Sequence, residues 1–232
     1  MGFEEHGFCV VRGPDLLWGG DIKDFHPPRG VFDGVIGGPP CQMFSRLVYI
    51  VRHNGYQVSE NLVPEYERVI GEAQPRWFVM ENVIEAPLPN IAGYEVDGSV
   101  LDNRWLGGVQ SRKHRFSFGT RDGRGLHYRT VVLENGDWDY RVCASDFRRT
   151  PVKLLAGGKQ RAGGLHKYRK GSLATRGRAR NMAQTLELQG LADDFFAHAP
   201  WTMKAKGEAI GNAVALPMAR ELGRAVREAL EK

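Results

Sequence analysis

Short apolar runs and helical periodicities alternate along the first 120 residues of this chain. Four apolar runs predict β-strands, at residues 8–11, 31–37, 76–80 and 115–118. Residues 65–72 have a helical pattern, and residues 215–230 carry apolar side chains at helical spacing with charges between them. Strands that alternate with helices predict an α/β domain with a mostly parallel sheet.

The pattern fades after about residue 121. Six glycines fall between residues 157 and 177, interleaved with basic side chains. We therefore divide the chain into three segments. These are an α/β domain at 1–120, a small basic region at 121–180, and a C-terminal segment at 181–232 that returns to the first domain.

Positive charge is concentrated in the middle segment. Twelve of the 32 Lys and Arg lie between Arg141 and Arg180, against one acidic residue, Asp146, whereas the remainder of the chain holds 20 basic and 26 acidic residues. Such a block predicts a polyanionic partner, with nucleic acid as the first candidate. A solvated basic loop is the alternative interpretation.

Composition narrows the class of protein further. The 232 residues are 42% hydrophobic and 25% charged, which is typical of a globular chain. No run of 18 apolar residues and no signal-peptide pattern occurs, so we expect no membrane segment. Three dispersed cysteines without a CxxC pair predict neither disulfides nor a metal site, and indicate a reducing cytoplasm.

A cysteine follows the second predicted strand. Cys41 comes directly after Gly38-Pro39-Pro40, at the carboxyl end of the strand, where open α/β sheets bind their ligands. The prolines stiffen this turn and would hold the thiol in one position, as a nucleophile requires. A small buried residue in a tight turn is the structural alternative.

Three other segments carry candidate chemistry. Glu81 ends the strand at 76–80, so its carboxylate is expected at the same sheet edge as Cys41, as an acid or hydrogen-bond donor. Alternation on a strand would point Arg112 and His114 to one face. Asn212 precedes the last helix. The structural alternatives are a capping acid for Glu81, a charged edge strand for Arg112 and His114, and a helix cap for Asn212.

In this order, the segments resemble motifs of the DNA cytosine-5 methyltransferase family. Gly38-Pro39-Pro40-Cys41-Gln42 is similar to its nucleophile loop, and Glu81-Asn82-Val83 to its ENV motif. Gln110-Ser111-Arg112 resembles the start of its QxRxR motif, and Gly211-Asn212-Ala213-Val214 its closing GNxV. The resemblance implies a doubly wound, Rossmann-like S-adenosylmethionine-dependent methyltransferase fold with a small basic target-recognition insert.

The same resemblance implies the reaction and its partners. Cys41 would attack C6 of a cytosine flipped out of double-stranded DNA, Glu81 would hydrogen-bond N3 and the exocyclic amine, and Arg112 would contact O2. S-adenosylmethionine would supply the methyl group. Residues implied for that cofactor are Asp15 at the ribose, Asp21 at the adenine amine, and Pro39, Asn212 and Val214.

The chain departs from the family pattern at two places. His114 stands where QxRxR has its second arginine, so either His114 substitutes for it or Arg115 reaches in through a bulge. The first strand and its glycine-rich cofactor loop are missing, which should leave two buried strands without a neighbour. Three explanations remain open. These are a start site assigned too far downstream, a second chain that completes the site, and a decayed enzyme. The first predicts that about 15 further N-terminal residues restore cofactor binding.

We expect a prokaryotic or phage enzyme, of restriction-modification type, in the cytoplasm of the cell or infected host. Two alternatives stay open. One is a catalytically inactive DNA-binding relic, and the other is a tRNA cytosine-5 methyltransferase.

Overall fold

A computed structural model of the chain describes residues 1–16, 19–45, 48–53, 55, 57–108, 112–131 and 182–232. These residues form two compact units. The first combines Met1–Asp102, Lys113–Arg129 and Arg220–Lys232, and the second combines Asn103–Arg112 with Thr130–Ala219. The expected insert lies almost wholly outside the described residues, so the three-segment division remains a prediction.

The elements follow one another in a simple order. The strands are β1 (Gly34–Gly37), β2 (Trp77–Asn82), β3 (Glu95–Asp102) and β4 (Lys113–Thr120). The helices are α1 (Val48–His53), α2 (Val63–Ala73), α3 (Met182–Leu188), α4 (Met203–Asn212) and α5 (Leu216–Glu231). Short 3₁₀ turns occur at Glu4–His6, Ile22–Asp24 and Asn103–Leu106. None of the helices in the described residues is long and apolar enough to cross a bilayer.

The four strands form one sheet in the order β1-β2-β4-β3. β1 runs parallel to β2, whereas β4 pairs antiparallel with both β2 and β3. The α/β class is confirmed, but the expectation of a mostly parallel sheet is corrected to a mixed sheet. Only ten residues, 103–112, join β3 to β4, and a parallel crossover needs a longer connection, usually through a helix.

Both faces of β2 are buried. On one face Phe78 and Met80 pack in a cluster with Tyr66 and Ile70 of α2. Tyr66 and Ile70 lie four residues apart, so α2 presents them on one side toward the sheet. This packing buries the helix that the pattern at 65–72 predicted, and it covers one face of the sheet.

An aromatic cluster covers the opposite face. Trp77 of β2 stacks on Phe3 with ring centroids 6.2 Å apart, and also contacts Phe8 and Phe118. The Arg220–Lys232 part of α5 packs on this N-terminal segment, because the guanidinium of Arg227 lies 4.3 Å from the ring centroid of Phe8 and Arg227 Nε donates to the His6 carbonyl. Helical layers therefore cover both faces, as expected of an α/β fold.

One predicted strand is wrong. Residues 8–11 form no strand, and Val10 and Val11 are exposed. A strand is stabilised by ladder hydrogen bonds with a neighbour, and β1 lies at the end of the sheet, so its outer edge has no strand partner among the described residues. The expectation of two buried, unpaired strands therefore reduces to one edge strand.

Truncation of the central aromatic side chain tests this packing. Phe78 is fully buried and meets the rings of Tyr66 and Tyr94. We expect Phe78→Ala to lower the free energy of unfolding by about 3–5 kcal/mol, measured by denaturant titration. The exposed Val31 offers a matched truncation, and Val31→Ala should change it by less than about 0.5 kcal/mol. Similar losses in both variants would contradict this assignment of the core.

Candidate active site

The loop after β1 is fixed by its contacts on both sides. β1 ends at Gly37, where a Cβ atom would lie only 2.6 Å from the ring of Tyr66. Pro39 lies two residues after Gly37, and its carbonyl accepts a hydrogen bond of 3.1 Å from Asn82 Nδ2. Asn82 is 1% exposed, so a buried side chain of β2 holds this loop. The half-buried Cys41 follows, and its carbonyl accepts hydrogen bonds from the backbone of Phe44 and Ser45.

Glu81 lies against the same loop. A Cβ atom on Gly38 would be 3.0 Å from Glu81 Oε2, so the absence of a side chain at Gly38 lets the carboxylate approach the backbone. β1 and β2 are parallel neighbours, with Gly37 opposite Met80. The structure therefore brings Glu81 to the loop that carries Cys41, at the carboxyl ends of two adjacent strands. The motif order signalled both residues, but the need for glycine at 38 was not recognised.

His114 contacts the other oxygen of this carboxylate. Its Nδ1 is in hydrogen-bonding contact with Glu81 Oε1, and both side chains are largely buried. Glu81 pairs with Phe116 across the β2–β4 ladder, so His114 is the diagonal neighbour of Glu81 on the same face.

Arg115 has a different position. The β4 ladder is regular through Arg115, which lies opposite Asn82, so no bulge redirects its side chain. Its Nη1 donates to the carbonyl of Ala86, in the segment that follows β2. Of the two alternatives left open by the sequence, the structure brings His114 rather than Arg115 to Glu81.

Arg112 is part of the second unit. It is 8% exposed, and its Nη2 donates hydrogen bonds of 2.8 and 2.9 Å to the carbonyls of Gly211 and Ala213. These carbonyls flank Asn212 at the end of α4, so Arg112 holds the GNxV segment in place. Asn212 itself is exposed and Val214 is half-buried. Gln110 and Ser111 lie outside the described residues.

The two candidate cofactor carboxylates belong to one turn of the first unit. Gly20 N donates a 3.1 Å hydrogen bond to the carbonyl of Asp15, which closes a loop whose other end continues into Asp21. Both carboxylates are exposed, and Asp21 Oδ1 accepts from the backbone of Lys23 at 3.0 Å. Both carboxylates are hydrogen-bond acceptors that hydroxyl and amine groups can use.

Arg68 of α2 fastens the 3₁₀ turn at Ile22–Asp24, which follows Asp21, a role that was missed in the sequence. Its Nη2 donates to the Ile22 carbonyl at 2.7 Å and its Nη1 to the Phe25 carbonyl at 3.1 Å. Glu65 and Glu72, at i−3 and i+4 on the helix, bind the same guanidinium, and the hydrogen bond from Arg68 lowers the pKa of Glu72. The i, i+4 pair was visible in the sequence, but its distant backbone partners were not.

The fold is of the Rossmann-like methyltransferase class. The family model for C-5 cytosine-specific DNA methylase matches residues 19–141, more than half of the chain. The chain belongs to that family.

Named relatives agree with this membership. Type II methyltransferase M.SacI of Streptomyces achromogenes is 32% identical over 135 residues, which cover 51% of this chain and 33% of that protein. Orphan methyltransferase M.SPRI of Bacillus phage SPR is 27% identical over 171 residues, which cover 66% and 35%. The matched region thus spans about a third of each of these curated relatives.

Solved structures share the fold. The Entamoeba histolytica methyltransferase EhMeth superposes with a TM-score of 0.56 at 11% identity, over 86% of this chain and 78% of that one. A putative DNA modification methyltransferase encoded within an E. coli prophage gives a TM-score of 0.51 at 17% identity, over 86% and 80%.

A test of the loop anchor uses the buried amide of Asn82. Asn82→Asp replaces the donor to the Pro39 carbonyl by an acceptor, while the acceptor for Val83 N is kept. We expect the free energy of unfolding to fall by about 1–3 kcal/mol, because the part-buried carbonyl of Pro39 loses its hydrogen-bond donor. Asn90→Asp, the same change at an exposed position, is the control in the same denaturation assay, and equal effects would contradict the anchor.

Proposed function

We propose that this chain transfers a methyl group to C5 of cytosine in double-stranded DNA, through a covalent intermediate at Cys41. One observation carries the proposal, namely that Glu81 Oε2 lies against Gly38 in the loop that bears Cys41. A nucleophile and a hydrogen-bonding carboxylate at adjacent strand ends can act on two positions of one flat base. The names of the relatives, type II and orphan methyltransferases, support the same reaction class.

The residues divide the reaction between them. The target cytosine has to leave the duplex before any side chain can reach its ring. The Cys41 thiolate forms a bond to C6, and the electron density released into the ring makes C5 nucleophilic. Glu81 hydrogen-bonds N3 and the exocyclic amine and so stabilises the charge that develops there. Once C5 carries the methyl group, loss of the C5 proton and of the bond between C6 and Sγ restores the aromatic ring and the thiolate.

We propose that Arg112 contacts O2 of the base, and two hydrogen bonds within its own unit order its side chain. Its hydrogen bonds to the Gly211 and Ala213 carbonyls hold the guanidinium in one place within its unit. A guanidinium that is already ordered loses little entropy when it binds a further acceptor.

S-adenosylmethionine, when bound, supplies an electrophilic methyl group for C5. We infer that Asp15 and Asp21 bind its adenosine part and that Pro39 borders it in the first unit. In the second unit, Asn212 and Val214 are the proposed contacts. The closed turn between Asp15 and Gly20 supports this assignment. For the methionine part we propose a strand of a second chain, paired with the outer edge of β1.

Double-stranded DNA is the proposed partner of the basic block at 141–180. Its twelve Lys and Arg suit phosphate contacts, so affinity should fall as the salt concentration rises. Relatives from bacteria and Bacillus phages fit the proposed site of action, the cytoplasm of a prokaryotic cell or infected host.

The nucleophile is tested by transfer of labelled methyl from S-adenosylmethionine to unmethylated duplex DNA. We expect Cys41→Ser to lower transfer by at least about a thousandfold with DNA binding retained, because the weaker hydroxyl nucleophile stops the first step. The exposed Cys9 offers a matched control, and Cys9→Ser should keep wild-type transfer.

Each outcome of that assay decides between the alternatives. Retained transfer in Cys41→Ser would exclude Cys41 as the nucleophile. Transfer to tRNA with none to duplex DNA would support the RNA alternative. Binding of DNA with no transfer by the wild-type chain would support the inactive relic.

The cofactor assignment is tested by calorimetric binding of S-adenosylhomocysteine. Asp21→Ala should weaken binding at least about tenfold, which corresponds to about 1.4 kcal/mol, because it removes an acceptor for the adenine amine. Asp24 is exposed on the same turn, and Asp24→Ala should bind as the wild type does. Equal affinity in all three proteins would contradict the assignment, and no binding by the wild type would indicate that the cofactor site needs the proposed strand of a second chain.

A further inference from the structure

His114 departs from the family motif at the point where β4 meets the proposed catalytic carboxylate. The resemblance to QxRxR leads us to expect arginine two positions after Arg112, and a shorter, aromatic side chain stands there. The ring is 8% exposed, and it lies near Phe116 with centroids 6.5 Å apart. A buried imidazole next to a carboxylate needs a defined partner for its nitrogen atoms.

The two oxygens of Glu81 face different neighbours. Oε1 meets Nδ1 of His114, while Oε2 lies 3.0 Å from the position that a Cβ of Gly38 would occupy. The carboxylate is therefore held on the β4 side and presented on the side of the loop that carries Cys41. A carboxylate that accepts a hydrogen bond at one oxygen cannot rotate without losing that hydrogen bond.

Neighbouring polar side chains have other partners. Asn82 binds the Pro39 carbonyl and Val83 N, and Arg115 binds the Ala86 carbonyl. The diagonal register between β2 and β4 gives His114 the short reach that the carboxylate requires. Histidine suits this contact because its Nδ1 lies close to the main chain and its ring is rigid.

We propose that His114 is a positioning residue for Glu81. Its Nδ1–H donates to Oε1 and fixes the side-chain torsions of the glutamate, so that Oε2 meets N3 and the amine of the flipped cytosine. His114 acts through Glu81 and does not itself touch the base. This inference rests on the proposed function and deepens it, because it names the residue that orients the carboxylate.

Two substitutions separate the donor from the bulk of the ring. The amide nitrogen of asparagine lies close to the position of histidine Nδ1, so His114→Asn keeps the donor to Glu81. His114→Phe fills the buried space without a donor. We expect kcat for methyl transfer to fall at least about 100-fold in the phenylalanine variant and less than about tenfold in the asparagine variant. KM for DNA should stay within about threefold in both, because the carboxylate matters most when charge develops on the base.

His127, an exposed histidine of the same unit, provides the control. His127→Phe should transfer methyl as the wild type does. Equal kcat in His114→Phe and wild type would overturn the inference and leave the proposed function intact. An equal loss in the asparagine and phenylalanine variants would also overturn it, because the donor would then not be the feature that matters.

A second measurement does not depend on activity. Nitrogen-15 NMR of the histidine rings in the wild-type chain reports which nitrogen carries the proton, and His114→Asn identifies the resonances by their loss. A His114 ring protonated at Nδ1 supports the contact. A ring that carries its proton at Nε2 alone, with a bare Nδ1, overturns it. If the wild type transfers no methyl group, the proposed function fails while this spectrum still decides whether His114 holds Glu81.

Discussion

The parallel pairing of β1 with β2 is the constraint on which the site depends. Two parallel neighbours end at the same edge of the sheet, so the loop after Gly37 starts beside the last residues of β2. Burial of β2 on both faces keeps this edge rigid. Asn82 then ties Pro39 to the strand, and Gly38 leaves room for the carboxylate of Glu81. Cys41 lies in this loop, which the contacts of Pro39 and Gly38 restrict.

The polar side chains at the end of β2 are largely buried, and each has a hydrogen-bond partner. Asn82 uses its donor and its acceptor on the backbone of Pro39 and Val83, and Glu81 uses Oε1 on His114. Each pairing offsets the cost of removing a polar group from water. The other oxygen, Oε2, faces Gly38 and is oriented because the groups around it are already paired. A similar logic applies to Arg68, which orders the Asp21 turn through the carbonyls of Ile22 and Phe25.

Apolar periodicity predicted several of the buried elements and missed the edge strand β3. β2, β4, α2 and α5 carry strong apolar patterns, and each end lies within two residues of its predicted bound. β3 is a sheet edge with exposed polar residues, so its sequence gave no comparable signal. The run at 8–11 had the composition of a strand, but Phe8 instead packs its ring against Phe3 and Trp77. An apolar run becomes a strand only where a neighbouring backbone can pair with it.

The sequence by itself determined the α/β class, the order of the motifs and the residue types at Cys41, Glu81 and Asn212, because these are carried by local patterns of a few residues. Tertiary structure decided the mixed strand order and the pairing of His114 with Glu81, which are 33 residues apart. It also decided the anchoring of the Asp21 turn by Arg68, across 46 residues between Arg68 and Ile22. Contacts of this range arise when the sheet and its helices pack, and no local pattern encodes them.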